Sequence, residues 1–215
     1  MKALILAGGF GTRMRPLTFS TPKPLLSIAN RPVITHILDY LKSHDVDDVV
    51  ITTNYLRELI EMHVGGEYRG MNITYPVEKQ PLGTAGCVKN ISDTLDETFL
   101  VIQGDCVTDI DLSMLVEGHR FNSGLATIAT YQVDEPWKYG VIESRDDGRV
   151  KAFREKPPAN ECESNQINTG LYVIEPEALD LVPEGVKYDF SRDLFPRLLE
   201  RKSIFTVPYS RDYYW

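Results

Sequence analysis

Residues 2–18, KALILAGGFGTRMRPLT, carry the strongest indication of the fold. KALILA is a short apolar run that ends at Gly8-Gly9, which is typical of a buried β-strand that passes into a turn. A long glycine-containing loop follows it. Because ligands of open parallel sheets lie at the carboxyl ends of the strands, this loop is a candidate binding segment.

Helical and strand-like segments alternate between Val33 and about Gly124. The predicted segments are, in order, a helix from Val33, a strand at Asp48–Thr53, a helix at Leu56–His63, a strand at Asn72–Val77, a helix at Thr84–Leu95, a strand at Thr98–Gln103 and a helix at Leu112–Phe121. This βαβ succession predicts an α/β fold with a mixed, mostly parallel sheet flanked by helices.

Strand-like segments dominate after Gly124. The predicted elements are strands at Leu125–Val133, Tyr139–Glu143, Val150–Arg154 and Asn168–Ile174, helices at Glu177–Leu181 and Ser191–Arg201, and a hairpin of Ile204–Pro208 with Tyr213–Trp215. The chain has no repeat, low-complexity segment or flexible linker. We therefore expect a single domain, 1–215, in which the half 124–215 covers the half 1–123.

The composition restricts the class of protein. The 215 residues include 23 basic and 31 acidic side chains, a formal net charge of −8, which argues against a nucleic acid or an anionic membrane as partner. No apolar run approaches the roughly 20 residues that span a bilayer, and the first segment lacks a basic lead or cleavage site, so we expect a cytoplasmic protein. The scattered Cys87, Cys106 and Cys162 are expected to be small core residues.

The charge is distributed unevenly. Residues 1–38 contain five Lys or Arg and no Asp or Glu, although the whole chain is acidic. This segment is suited to receive a small polyanion, and a solvated basic face is the alternative on charge alone.

The loop after the first strand contains candidate phosphate ligands. Its candidate residues are Gly8, Gly9, Gly11, Thr12 and Arg13, where backbone N–H groups can approach phosphate oxygens and the guanidinium can bind in a bidentate manner. Lys23 lies between two prolines of the same loop and could bind the same anion. Neither standard nucleotide motif is present, and a tight turn with a surface lysine remains the alternative.

Two further candidates follow later strands of the first half. QPLGTAG, residues 80–86, opens a helix, and Gln80 can both donate and accept hydrogen bonds, as recognition of a base requires. A plain turn with a helix cap explains this stretch about as well. Asp105 follows the apolar strand Phe99–Ile102 and suits Mg²⁺, which binds one or two carboxylates together with water and phosphate oxygens.

The second half places polar residues at strand ends. Glu155 and Asn168 are suited to hydrogen-bond sugar hydroxyls, and Lys156 to hold a phosphate. Surface polarity would explain each of them singly.

Taken together, eight strings resemble the sugar-1-phosphate nucleotidyltransferases. In chain order they are GGFGTRMRPLT, PKPLL, NRPVI, QPLGTAG, GD, YGVIE, FREKP and INTGLYVIEP. EPWKYGV and QPLGTAG are most similar to mannose-1-phosphate guanylyltransferases, with glucose-1-phosphate uridylyl- and thymidylyltransferases as close alternatives. The resemblance implies a Rossmann-like fold, with a nucleotide-binding half at 1–123 and a sugar-phosphate-binding half at 124–215.

The resemblance also implies a reaction and a set of residue roles. The sugar 1-phosphate would attack the α-phosphorus of a nucleoside triphosphate and release pyrophosphate. The implied roles are triphosphate binding by Gly8, Gly9, Gly11 and Thr12, stabilisation of pyrophosphate by Arg13, contact near the α-phosphorus by Lys23, Mg²⁺ binding by Asp105, base contacts by Gln80 and Gly83, sugar contacts by Gly140, Glu155 and Asn168, and binding of the sugar phosphate by Lys156.

One departure from the family pattern concerns the C-terminus. Family members usually continue past the tryptophan that matches Trp215 with an aspartate that is a second metal ligand, and many continue into a left-handed β-helix. The printed sequence stops at Trp215, so we expect either a piece of a longer enzyme or a protein that binds Mg²⁺ through one carboxylate. A non-catalytic relative that binds nucleotide-sugars is the alternative. The terminal aromatic residue suggests an apolar edge that a further segment or another subunit of a homo-oligomer would cover.

Overall fold

The computed structural model describes residues 1–78 and 80–214. Its strands, in chain order, are β1 Lys2–Leu6, β2 Ser27–Ile28, β3 Arg31–Pro32, β4 Asp48–Thr52, β5 Glu67–Tyr68, β6 Met71–Thr74, β7 Phe99–Gln103, β8 Ala126–Gln132, β9 Gly140–Ser144, β10 Val150–Glu155, β11 Gln166–Ile174 and β12 Ile204–Tyr209. The α-helices are α1 Val33–Ser43, α2 Arg57–Val64, α3 Gly83–Lys89, α4 Leu112–Asn122 and α5 Phe195–Glu200. A π-helical turn, Phe190–Leu194, leads directly into α5.

One large sheet runs through both halves of the chain. Its strand order is β10-β9-β11-β7-β1-β4-β6-β5, with β8 beside β11 and β12 beside β8. In the first half, β1 is parallel to β4 and β7, and β4 is parallel to β6. In the second half, β11 is antiparallel to β7, β8 and β9. The predicted α/β fold class, a mixed sheet with parallel strands flanked by helices, is confirmed.

Apolar clusters cover both faces of the sheet. Successive side chains of a strand point to opposite faces, so Ile5 packs in one cluster with α1, whereas Leu4 packs in the other with α3 and Phe195. Each of these side chains is at most 1% exposed. The central parallel strands are therefore covered on both faces, as expected for this architecture.

Three predicted helices differ in detail from the observed elements. The expected helix at Thr84–Leu95 ends as α3 at Lys89 and is followed by a 3₁₀ turn, Ser92–Thr94, because Ile91 has φ −120° and leaves the helical region. The segment Pro176–Leu181 is a 3₁₀ helix. The segment predicted as one helix, Ser191–Arg201, is divided between the π-helical turn and α5.

The predicted C-terminal hairpin is wrong. β12 pairs in parallel with β8, starting with Ile204 beside Ala126. The two tyrosines that follow lie outside any strand and are held by other contacts: the Tyr214 N–H donates to Asp109 Oδ1 at 2.7 Å, and the Tyr131 hydroxyl donates to the Tyr213 carbonyl at 2.7 Å. Trp215 lies outside the described residues.

Helix length and polarity bear on membrane insertion. Within residues 1–78 and 80–214, no helix combines the length and the apolar character needed to cross a bilayer.

Candidate functional site

Two adjoining cavities open at the carboxyl ends of β1, β4 and β7. The strand register explains this position, because Leu6 at the end of β1 pairs with Thr52 of β4 and with Gln103 of β7. The loops after these strands therefore leave the sheet side by side. The first cavity has a volume of about 660 Å³ and the second of about 790 Å³. The described residues that line both are Arg13, Thr84, Gln103 and Asp105.

The glycine-containing loop forms one wall of the first cavity. The predicted phosphate ligands that line it are Gly8, Gly9, Gly11, Thr12 and Arg13. The loop is stabilised by its own contacts, since Thr18 Oγ1 donates to the Gly11 carbonyl at 2.8 Å. The Tyr55 hydroxyl donates to the carbonyls of Thr18 and Phe19 at 3.1 Å. The loop is thus ordered against the sheet by contacts within the protein.

Lys23 and Asp105 meet at the edge of the first cavity. The lysine begins a 3₁₀ turn, Lys23–Leu25, and its Nζ forms an ion pair with Asp105 Oδ2 after β7. The two side chains are 32% and 41% exposed, so a ligand can reach both. The structure therefore brings together Arg13, Lys23 and Asp105, which the sequence analysis assigned to one anion and its metal ion.

The donor set around Asp105 fits a metal ion that is shared with a substrate. Among the described residues, no group of three or more His, Cys, Asp or Glu side chains could hold a metal ion by itself. Mg²⁺ does not require such a group, because it commonly binds one or two carboxylates and completes its coordination with phosphate oxygens and water. The accessible Asp105 carboxylate beside the glycine loop is compatible with that kind of binding.

The first turn of α3 forms the opposite wall of the first cavity. Gly83 lines this cavity and has φ +74°, a conformation that favours glycine. A Cβ atom at this position would lie 2.7 Å from the Tyr188 carbonyl oxygen. That oxygen accepts the N–H groups of Ala85 and Gly86 at 2.9 Å. Close backbone contact between α3 and the segment around Tyr188 therefore requires glycine at residue 83.

Gln80 is placed differently from the other predicted ligands. All predicted site residues lie in the described part of the chain. Among them, Gln80 lines neither cavity, whereas the others line one or both. Its Nε2 donates to the Gly185 carbonyl at 3.3 Å, and the residue is exposed. The structure therefore does not bring Gln80 to the cavities, and its role in base recognition stays a prediction.

The second cavity collects the candidates from residues 124–215. Gly140, Glu155, Lys156 and Asn168 all line it. The pairing of β9 with β10 places Gly140 opposite Glu155. Asn168 Oδ1 accepts the Gly170 N–H at 2.9 Å, and its Nδ2 donates to Ser191 Oγ at 3.1 Å. These contacts fix the orientation of the Asn168 amide beside the cavity.

Several lining residues were missed by the sequence analysis. They are Asn54, Glu78, Thr84 and Lys187 in the first cavity, and Lys138, Tyr139, Asp189, Ser191 and Arg192 in the second. The stretch VKYDFSR, residues 186–192, carried a signal that was overlooked, because it places Lys187 and Arg192 around the start of a predicted helix. The others are single polar residues that only the tertiary fold brings to the site.

Buried titratable groups in the cavity walls are kept neutral. Cys87 lines the first cavity, and burial raises the pKa of its thiol to about 12. Burial likewise raises the pKa of Tyr172, which lines the second cavity, to about 12. Neither side chain ionises near neutral pH, so the cavity charges come from the Lys, Arg, Asp and Glu residues.

A glycine loop, a cation–carboxylate pair and two adjoining cavities lie together at one edge of a mixed α/β sheet. Residues 2–215 match the model of the family described as nucleotidyl transferase. The chain belongs to this family.

The names of curated relatives indicate two different pairs of substrates. The chain is 39% identical to a UTP–glucose-1-phosphate uridylyltransferase from Synechocystis, over 93% of this chain and 55% of the relative. It is 40% identical to a mannose-1-phosphate guanyltransferase from Saccharomyces cerevisiae, over 96% of this chain and 58% of the relative. The chain thus spans somewhat more than half the length of these two relatives.

A solved structure has the same fold. A putative glucose-1-phosphate thymidylyltransferase from Bacillus anthracis, crystallised with sucrose, superimposes with a TM-score of 0.85 at 27% identity, over 98% of this chain and 87% of that protein. The predicted Rossmann-like fold and the predicted family are both confirmed.

Proposed function

We propose that this chain carries the catalytic site of a sugar-1-phosphate nucleotidyltransferase. The reaction joins a nucleoside triphosphate to a sugar 1-phosphate and releases pyrophosphate. The observation that carries the proposal is the meeting of the two cavities at Arg13 and Asp105. One cavity would hold the triphosphate and the other the sugar phosphate, with their reacting atoms at the shared boundary.

The charges of the site suit this chemistry. The phosphate of the sugar is the nucleophile and is already ionised near neutral pH, so no protein base is needed. Lys156 would hold this phosphate in the second cavity, and Arg13 would stabilise negative charge on the departing pyrophosphate. Catalysis then consists of alignment and charge stabilisation.

Lys23 and Asp105 would separate when substrate binds. Their ion pair satisfies both charges within the protein. An entering triphosphate offers Lys23 phosphate oxygens, which releases the Asp105 carboxylate to hold Mg²⁺. The chemistry supplied by bound Mg²⁺ is neutralisation of phosphate charge.

The substrate pair that we favour is GTP with mannose 1-phosphate. It is supported by EPWKYGV and QPLGTAG and by the yeast relative, which is named for this substrate class. UTP or dTTP with glucose 1-phosphate is the alternative, because the cyanobacterial relative is named for that chemistry at a similar identity. Gln80 and Gly83 would contact either base.

A regulatory protein that binds nucleotide-sugars without turnover is the other candidate function. The ion pair of Asp105 with Lys23 favours it, because this carboxylate is already neutralised by a side chain of the protein. Retention of Arg13, Lys23 and Lys156 at the cavities argues for the enzyme, since a simple binder has less need of cations at both the leaving group and the nucleophile.

Pyrophosphate release tests the proposal. The purified chain is incubated with Mg²⁺ and every pairing from a panel of triphosphates and sugar 1-phosphates, with reactions lacking the sugar phosphate as controls. We expect release that depends on both substrates and is fastest with GTP and mannose 1-phosphate. Absence of release for every pairing would contradict the enzymatic function.

A further inference from the structure

Residues 187–192, KYDFSR, lie against both cavities, and we call them the bridging segment. Lys187 lines the first cavity, whereas Asp189, Ser191 and Arg192 line the second. The segment therefore carries one basic side chain to each cavity. It follows the 3₁₀ helix Pro176–Leu181 in the chain and includes the first three residues of the π-helical turn.

The backbone of the bridging segment is fixed to the first turn of α3. The Tyr188 carbonyl accepts the N–H groups of Ala85 and Gly86 at 2.9 Å, and the Tyr188 N–H donates to the Leu82 carbonyl at 2.8 Å. These hydrogen bonds are made by the residue that directly follows Lys187. They therefore fix the position of the Lys187 backbone relative to the wall of the first cavity.

Asp189 makes a second attachment, at the boundary of the cavities. Its Oδ1 accepts hydrogen bonds from the Thr84 N–H at 3.2 Å and from Thr84 Oγ1 at 3.1 Å. The Phe190 N–H donates back to Thr84 Oγ1 at 3.0 Å. The Asp189 carboxylate is therefore engaged in holding the segment on Thr84, a residue that lines both cavities.

The π-helical turn determines where Arg192 lies. Such turns are rare and are often found at functional sites. This one is supported by aromatic packing, since the rings of Phe190 and Phe195 lie 5.5 and 5.0 Å from the ring of Tyr172. Ser191 Oγ accepts a hydrogen bond from Asn168, the residue predicted to contact the sugar ring. Arg192 is the next residue in the chain and therefore lies close to that predicted contact.

The two cations of the segment are available to a ligand. Within the described residues, neither Lys187 nor Arg192 forms a hydrogen bond or an ion pair through its side chain. Two other cations of the cavities are engaged, because Lys23 pairs with Asp105 and Lys138 pairs with Glu135. Unpaired cations at the wall of a cavity that receives phosphate are suited to bind phosphate oxygens.

We propose that the bridging segment supplies one phosphate-binding cation to each substrate. Lys187 contacts the triphosphate, Arg192 contacts the phosphate of the sugar 1-phosphate, and Asp189 is the positioning residue that holds both in place through Thr84. This inference rests on the proposed function and adds two ligands that lie outside the family strings identified in the sequence.

Equilibrium binding of each substrate tests the assignment separately from turnover. Titration calorimetry measures the affinity of the protein for a GTP analogue in the presence of Mg²⁺. The analogue has a methylene bridge between the α and β phosphates, so it cannot release pyrophosphate. Mannose 1-phosphate is then titrated into the saturated complex. Lys187→Gln and Arg192→Gln are compared with Arg201→Gln, a matched control whose exposed side chain lines neither cavity.

The expected result is a reciprocal pattern. Lys187→Gln weakens binding of the analogue about tenfold, the size expected for loss of one accessible charged contact. The same variant changes the affinity for mannose 1-phosphate less than about twofold. Arg192→Gln has the opposite pattern, and Arg201→Gln changes neither. Equal effects on both ligands, or no effect on either, would overturn the proposal.

The positioning role of Asp189 is tested by a pair of variants. Asp189→Ala removes the acceptor for Thr84 and should weaken both ligands, whereas Asp189→Asn keeps an acceptor oxygen and should restore most of the binding. Equal losses in the two variants would refute the role of this hydrogen bond. If wild-type protein releases pyrophosphate but the glutamine variants bind normally, only this inference fails; if no pairing of substrates reacts, the proposed function fails.

Discussion

Replacement of Gly83 by alanine tests the close contact on which the first cavity depends. The residue has φ +74°, and an L-residue in this left-handed region costs about 1–2 kcal/mol. The new Cβ would also lie 2.7 Å from the Tyr188 carbonyl oxygen, so this oxygen must move. The movement weakens the hydrogen bonds from Ala85 and Gly86, each worth about 0.5–1.5 kcal/mol. We expect Gly83→Ala to lower the free energy of unfolding by about 2–5 kcal/mol.

Gly70→Ala is the matched control for this prediction. Gly70 has φ +82° in the turn between β5 and β6, but no atom lies within 4 Å of the position of its Cβ. It should therefore lose only the conformational part, about 1–2 kcal/mol. Urea unfolding followed by circular dichroism gives both values, and analogue binding by the folded variants should fall only for Gly83→Ala. If Gly83→Ala loses no more stability than Gly70→Ala, the contact with Tyr188 does not have the role given to it.

Three further predictions concern single side chains of the site. Asp105→Asn should abolish Mg²⁺-dependent pyrophosphate release, because the amide loses the charge that holds the ion; a wild-type rate would remove this residue from the metal site. Lys156→Ala should raise the KM for the sugar phosphate more than that for the triphosphate, and equal increases would contradict its assignment. Iodoacetamide at pH 8 should modify Cys162 before Cys87, because burial raises the Cys87 thiol pKa to about 12 and the reactive thiolate is not formed at that pH. Peptide mass spectrometry of the native protein measures the order, and early labelling of Cys87 would contradict its burial.

The parallel half of the fold could be predicted because its signals are local. KALILA and the apolar strand before Asp105 are continuous runs bounded by glycine, and buried parallel strands have this pattern. Their residues do become β1 and β7, side by side. The C-terminal hairpin could not be predicted correctly, since the pairing of β12 with β8 joins segments separated by more than 70 residues, a contact that no local pattern encodes.

The candidate site was predictable to the extent that it follows strand ends. Arg13, Lys23 and Asp105 lie on loops directly after β1 and β7, so the topology alone brings them to one edge. Lys187 and Arg192 reach the cavities because Tyr188 binds α3 through backbone groups, and backbone contacts between distant segments leave no composition signal. The position of Gln80 depends in the same way on a tertiary contact, with Gly185.

The attachment of Tyr188 to α3 has a consequence for biosynthesis. The glycine loop and Asp105 leave the ribosome long before residues 187–192 are made, yet the wall of the first cavity is complete only when the Tyr188 carbonyl reaches α3. A nascent chain that has been translated only to residue 123 therefore lacks both that wall and the β11 partner of β7. We expect such an intermediate to be unable to retain a ligand in the first cavity, so ligand can stabilise the polypeptide only after residues 187–192 have been translated.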